Sequence, residues 1–403
     1  MSAPTVDVPA GVWLDVVGQP GAVDDLMAAV AATHDDPGVP TSAMTHAWLI
    51  TGPPGSGRST AARAFAAALQ CTLRGCGQCL HCRTVLAGTH ADVRTVIPEG
   101  LSISVKLMRK VVQDASRQPS TARRQIVIIE DADRLTEGAA NALLKMVEEP
   151  PSHTVFLLCA PSTHPDDVSV TIRSRCRVLG LRAPSVTAIA EVLVRRDGIE
   201  PETARWAASV CGGHIGRARR LARDEGARSR REWVLGLASI RRLGQAYGAA
   251  EQLDKDAKSD AGEQLAGRNA GEIEELKTAL GAGGTGKGAA AAARGTTGIV
   301  KELENRQKTR QTRTQRDIVD QALIELSGYY RDVVVTAEGA RVPLSHPDRS
   351  EQSAAAAAEI GADGGLRRLE AVLACREAIE MNVKPQIALE ALMTILSGVG
   401  QGR

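Results

Sequence analysis

A glycine-rich turn, Gly52-Pro-Pro-Gly-Ser-Gly-Arg-Ser59, lies between the apolar run HAWLIT at 46–51 and the alanine-rich run TAARAFAAALQ at 60–70. A strand that passes through such a turn into a helix is the opening of a βαβ unit, and few folds accommodate it. Four further short apolar runs follow, DVRTVI at 92–97, QIVIIED at 125–131, TVFLLCA at 154–160 and CRVLGL at 176–181, each separated by helical sequence. Strands alternating with helices predict an α/β domain with a parallel sheet. Three of the runs are nearly continuously apolar, as expected of central strands covered on both faces.

The turn has the spacing of a phosphate cradle, G-x-x-x-x-G-x-[ST], at Gly52, Gly57 and Ser59, with Gly55 and Thr60 completing the candidate set. Glycines let backbone N–H groups converge on an anion, and the following helix adds the positive end of its dipole. The lysine of that motif is replaced by Arg58, whose planar guanidinium is larger than an ammonium and favours forked contacts. The loop is therefore expected to keep its shape while binding of ATP and Mg²⁺ in its own site is in doubt; a glycine turn that meets no phosphate is the alternative. At the end of the third run stand Glu130 and Asp131, where a carboxylate beside the loop could hold Mg²⁺ through water. The usual Asp-Glu order is inverted, and an exposed acidic turn is the competing reading. A second glycine-rich stretch, GAGGTGKG at 281–288, follows no strand and has no Ser or Thr after Lys287, so it is set aside.

Of the eight cysteines, Cys71, Cys76, Cys79 and Cys82 fall within twelve residues as C-x4-C-x2-C-x2-C. Interlocked C-x-x-C turns can present four thiolates to one tetrahedral ion, the description of a closed structural zinc site. An iron–sulfur cluster is the alternative, although the proline that follows the last cysteine of small ferredoxins is absent. His81 and His90 read as neighbours of the site, and Cys159, Cys176, Cys211 and Cys375 as buried small hydrophobes.

Hydrophobic residues make up 43% of the 403-residue chain but aromatic residues only 2%, so Ala, Val, Leu and Ile must build the core and stacking platforms for single-stranded bases are not expected. The net charge of +2 gives no global field that would recruit nucleic acid. No apolar run approaches the ~20 residues that cross a bilayer. The N-terminus MSAPTVDVPAGVW also lacks a basic region followed by an apolar one. These features read as a soluble, cytoplasmic protein with no membrane partner.

Beyond residue 181 the strands stop. Short helices are expected over 182–225, followed by a largely helical segment, 226–403, whose last helix would turn Ile387, Leu389, Leu392, Met393 and Leu396 to one apolar face. Within it, 250–315 reads as an insertion of long exposed helices around a low-complexity tip, GAGGTGKGAAAAARGTTG, unlikely in composition to pack. HPDRSEQSAAAAAEIGADGG at 346–365 reads as a loop. The arginines at 217, 219, 220, 223, 228, 230 and 231 read as a solvated or intersubunit face in preference to a DNA-binding one, and the basic stretch 306–316 is read alike.

Together with Asn141-Ala-Leu-Leu-Lys-Met-Val-Glu-Glu-Pro-Pro151, Ser174-Arg175-Cys176, the four-cysteine insert and WLDVVGQPGAVDDL at 13–26, these residues resemble the clamp-loader branch of the AAA+ ATPases, the loaders that serve bacterial DNA polymerase III. The resemblance is strong over about residues 11–222 and weaker beyond. It implies a RecA-like α/β domain with a zinc module at 1–181, a small helical lid at 182–225 and an all-α collar at 226–403. Val17, Gly18 and Gln19 would lie by an adenine pocket, and Arg175 would reach as an arginine finger into a neighbouring subunit's nucleotide site. The partners implied are delta and gamma/tau-type subunits in a five-subunit ring, the sliding clamp, and primer–template DNA held by the assembly.

Three departures distinguish this chain from a motor of that family: Arg58 for lysine, Glu130-Asp131 for the opposite order, and Gly216 where a lid arginine senses γ-phosphate, with Arg217 one residue later. They imply a non-motor subunit whose own ATPase is weak or absent. The rivals are an ATP-hydrolysing motor that still uses Arg58, Ser59 and Glu130, and a zinc-dependent DNA-binding protein. The second rival lacks a basic recognition helix beside its cysteines.

Overall fold

The computed structural model describes residues 11–34, 38–279 and 289–398. The chain divides into two compact units, Met1–Arg223 and Asp224–Arg403.

In the first unit, a 3-10 turn at Gly11–Asp15 leads into α1 (Pro20–Ala32), β1 (Ala47–Thr51) and α2 (Arg58–Gln70). Next come α3 (Leu80–Leu86), β2 (Val93–Val96), α4 (Val105–Ala115) and β3 (Gln125–Ile129). The α/β part ends with α5 (Glu137–Glu148), β4 (Thr154–Ala160), the single turn α6 (Val170–Arg173) and β5 (Arg177–Gly180). All five strands run parallel in the order β2-β3-β4-β1-β5. The interior of that sheet is β3, β4 and β1, whose residues are buried almost throughout.

Strand side chains alternate between two cores. On one face Trp48, Ile50, Ile126, Ile128, Val155 and Leu157 pack with the leading turn and α2. On the other, Leu49, Val127, Ile129, Phe156 and Leu158 pack with residues of α4 and α5. Full burial of one such aliphatic side chain contributes about 1.5–3 kcal/mol, and its truncation to alanine costs about 2–5 kcal/mol. Alanine also suits α2, where Ala61, Ala62, Ala64 and Ala66 to Ala68 are fully buried and let the helix lie close to the sheet. Three helices complete the unit, α7 (Val186–Arg195), α8 (Pro201–Val210) and α9 (Ile215–Arg223). Ser185 caps α7 through Ala188 N, and Glu200 caps α8 through the amides of Glu202 and Thr203.

The second unit is helical: α10 (Glu225–Gly236), α11 (Leu243–Ala279), α12 (Ala289–Ala337), α13 (Ser350–Glu380) and α14 (Pro385–Leu396). Three expectations need correction. The flanks of the 250–315 insertion do pack: Leu253 and Ala257 belong to the core of this unit and Ala261 is buried. Buried Gln307 and Arg310 bond Asn269 and Glu272 across α11 and α12. Small side chains and paired charges supply the contact that a count of apolar residues misses. The tip at 280–288, Lys287 included, lies outside the described residues.

The segment 346–365 is no loop either. Ser350 starts α13, and Ala354 to Ala358 propagate it, since alanine has the best helix propensity. Only Gly361 departs from helical angles, at φ +64°, which kinks the helix. Gly365 lies where a Cβ would come 3.0 Å from Val334 of α12, so α13 approaches closely. In α14, Leu389, Leu392, Met393 and Leu396 are buried as expected, but Ile387 is 56% exposed, because it lies in the first turn beyond the packed stripe.

Candidate functional site

The glycine-rich turn connects β1 to α2, with Gly52, Gly55 and Gly57 at φ +156°, +85° and +91°. A side chain at Gly55 would collide with His214, which lies at the start of α9, so the turn and the helical segment are in close contact. A cleft of about 630 Å³ opens there, lined by Gly55, Gly57, Arg58, Ser59 and Thr60. Val17, one of the residues expected by an adenine pocket, also lines it. Gly18 abuts Pro184 instead, and Gln19 is buried with its amide bonded to the backbone N and O of Arg182. Gly52 lies behind the cleft, its N–H on Pro161 O at 3.2 Å.

Four arginines face the cleft: Arg58, Arg63, Arg196 and Arg219. Arg196 pairs with Asp15 and Arg219 with Asp197. Arg58 Nη1 is buried without a hydrogen-bond partner. Arg63 binds Glu130 at 2.6 Å, with the Glu130 side chain only 14% exposed. The carboxylate read as a possible Mg²⁺ holder is thus already engaged by a guanidinium. Asp131 adopts φ +53° and begins the short 3-10 turn Ala132–Arg134, and burial raises the carboxyl pKa of Asp133 above the usual range. Sequence reading missed Arg63 and Arg196 and assigned Arg219 to a solvated or intersubunit face instead of the cleft; a helical wheel would have placed Arg219 one turn after Gly216, but nothing in the sequence ties Arg63 to a carboxylate 67 positions away.

Arg175 follows α6. Its Nη2 lies 2.8 Å from Glu148 Oε1, and Nη1 donates to Thr171 O at 3.1 Å and to Ser174 Oγ at 3.2 Å. The Arg175 side chain nevertheless stays partly exposed, at 38%. Cys176 is half-buried with its thiol pushed up to about 12 by burial, which leaves it an unreactive filler under the loop. Glu148 belongs to the N-A-L-L-K-M-V-E-E-P-P segment, so two of the motifs used for the family resemblance meet in one ion pair.

The four clustered cysteines converge. Their sulfurs all lie within 4.8 Å of one another, and Cys71 Sγ is 3.7 Å from both Cys76 Sγ and Cys79 Sγ. Tetrahedral Zn–S bonds of about 2.3 Å place thiolates about 3.8 Å apart, so the donor set fits such an ion. Backbone N–H groups of Leu73, Cys79 and Cys82 point at the sulfurs of Cys71, Cys76 and Cys79. Hydrogen bonds from the Gln78 and Cys79 backbone lower the Cys76 thiol to about 6, whereas burial pushes Cys82 upward. The cluster can hold a metal such as zinc. His81 and His90 bond each other at 2.9 Å beside it, outside the ligand cluster.

The arginine-rich run is no open basic face. Arg219 and Arg223 pair with Asp197, Arg230 with Asp260, and Arg231 is buried against Asp348 and Glu325. In the 306–316 stretch, Arg310 pairs with Glu272 and Arg316 Nη1 bonds Asn382. Among the described residues, no helix is long and apolar enough to cross a membrane.

Known proteins align with this architecture. A family model described as DNA polymerase III, delta subunit, matches residues 38–185. The DNA polymerase III subunit delta' of Bacillus subtilis is 33% identical over 46% of this chain and 57% of its own length. That of Yersinia pestis is 32% identical over 59% of this chain and 72% of its own length. The tau/gamma subunit of Haemophilus influenzae is 32% identical over 45% of this chain, but over only 25% of its own length. The matched stretch thus spans a little over half of the Bacillus relative, and the aligned proteins carry both names. With nearly three quarters of a delta' relative covered at 32% identity, the chain belongs to the family of DNA polymerase III clamp-loader subunits.

Proposed function

We propose that this chain is the non-motor, delta'-type subunit of the DNA polymerase III clamp loader, one member of a five-subunit ring with delta and gamma/tau-type subunits. In that ring Arg175 reaches a neighbour's nucleotide site as an arginine finger, while the chain's own phosphate loop does not fire. The observation that carries the reading is the Arg63–Glu130 pair beside Arg58: the carboxylate a motor needs for Mg²⁺ is held by a cation, and the lysine is gone. Arg175, in contrast, keeps a partly exposed side chain. A phosphate-clamping arginine supplied in trans contributes roughly 10³–10⁵ to turnover in the systems where it is measured. Loading of the sliding clamp onto primer–template DNA would then be work of the assembly, powered by ATP in its motor subunits.

The test is the clamp- and DNA-stimulated ATPase of the reconstituted ring carrying Arg175→Ala, which should collapse while the ring still assembles. The gamma/tau-like motor reading draws on the cleft of about 630 Å³, which retains a phosphate-loop shape. It demands micromolar, magnesium-dependent ATP binding by the isolated chain; the non-motor reading expects none.

A further inference from the structure

The four-cysteine loop packs against a turn that leads into the cleft. Val12 N donates to Gly75 O at 2.9 Å, joining the turn at Gly11–Asp15 to the stretch between Cys71 and Cys76. The approach is too close for side chains: a Cβ on Gly75, at φ +104°, would stand 2.8 Å from Val12 Cγ2 and 3.3 Å from Trp13 Nε1. A Cβ on Gly11 would overlap the Gly75 carbonyl oxygen. Val12, Trp13 and Val16 are buried in the same cluster as Cys71 and Cys82. Asp15, at the end of this turn, lines the cleft together with Val17 and with Leu86, the last residue of α3. Asp15 also pairs with Arg196, which caps the C-terminus of α7.

We propose that the metal held by Cys71, Cys76, Cys79 and Cys82 is a positioning centre for the cleft: it fixes the Gly75 carbonyl, thereby the turn at 11–17, and through Asp15 and Arg196 the end of α7. The stretch 71–79 contains no helix or strand, and Arg74, Gly75 and Gly77 hold positive φ. A loop of this kind owes its shape to its ligands, because metal binding and local folding are one equilibrium. When the metal leaves, Val12 N–H loses a fixed acceptor in a buried place, which favours release of the turn. This inference is independent of any trans role for Arg175, and holds for a motor and a non-motor subunit alike.

Hydrogen exchange read by mass spectrometry on the full chain tests it, with zinc bound and after chelation, metal content being measured on both samples. The expected result is exchange about tenfold faster or more over 11–17, a smaller rise over α7, and no change in β4, with protection restored by added zinc. Persistent protection of 11–17 in demonstrably metal-free protein would overturn the proposal. So would an equal rise in β4, which would make the metal a support of the whole unit, or a purified chain that binds no zinc. Asp15→Ala should retain zinc and the protection of 11–17 while uncoupling α7 from chelation; an α7 that still responds as in wild type would exclude the ion pair as the link.

Discussion

Arg175 and Glu148, 27 positions apart in the chain, meet in an ion pair at 2.8 Å in which both side chains remain partly exposed, at 38% and 43%. Such pairs contribute about 0–1 kcal/mol to stability, so the contact matters more for where it holds the guanidinium than for the fold. Glu148→Ala is therefore expected to leave the melting temperature nearly unchanged while lowering the stimulated ATPase of the reconstituted ring several-fold in kcat at constant KM. A large loss of stability, or an unaltered kcat, would show that Glu148 does not orient Arg175. Arg175→Lys should not rescue, since a point charge cannot reproduce a fork held by three acceptors.

Glu130 is withheld from the cleft by Arg63. The double variant Arg58→Lys with Arg63→Ala restores the motif lysine and frees the carboxylate, and should gain magnesium-dependent ATP affinity over wild type by about tenfold or more, the equivalent of about 1.4 kcal/mol. Isothermal titration with and without Mg²⁺ reads this directly. Equal affinity in variant and wild type would mean that the pair does not close the site.

Asp92, just before β2, is buried and accepts from the backbone N–H groups of Ser120, Thr121 and Ala122 and from the hydroxyls of Ser120 and Thr121. Burial alone would raise its carboxyl, but these donors outweigh it and hold the group far below the ordinary range. A depressed folded pKa contributes stability that is complete above the unfolded value, about 4, and is lost as pH falls through the folded one. Asp92→Asn should cost the first unit about 2–4 kcal/mol at neutral pH by stranding donors, and should flatten the acid limb of its stability profile in denaturant titrations.

His346 is buried in the second unit between Arg231, Glu325 and Asp332. Its Nε2 lies 3.0 Å from Glu325 O and its Nδ1 2.9 Å from Arg231 Nη2, an arrangement suited to the neutral ring with its proton on Nε2. Burial lowers its pKa below 6.5, against the opposing pull of Glu325. The unfolded chain then binds the extra proton first, so this contribution is full above about pH 6.5 and lost as pH falls through the folded pKa. Wild type should lose stability in the second unit as pH falls below 6.5, and His346→Gln should remove that slope. A slope unchanged by the substitution would assign it to another group.

The sheet was legible because its interior strands are short, apolar and buried on both faces: TVFLLCA is β4 residue for residue, with all seven positions buried. The phosphate turn and the cysteine cluster were legible because local spacing determines their geometry. What escaped depends on contacts between distant positions. Arg63 finds Glu130 only once α2 lies beside β3, and Ala354 to Ala358 read as part of a loop although they propagate α13, whose Ala356, Ala357 and Gly365 then pack on the core of the second unit. The arginine run suggested a charged face because the acids that neutralise it, Asp197, Asp260 and Asp348 among them, lie elsewhere in the chain.

The proposed division of labour has Arg175 act on a neighbour's nucleotide while this chain's own site stays silent. Steady-state ATP hydrolysis by the reconstituted ring, measured with clamp and primed DNA, compares wild type, Arg175→Ala and Arg58→Ala. The expected result is a loss of about 10³-fold at the affected motor site for Arg175→Ala, and unchanged turnover for Arg58→Ala. Full activity with Arg175→Ala, or a collapse with Arg58→Ala in an intact ring, would contradict it.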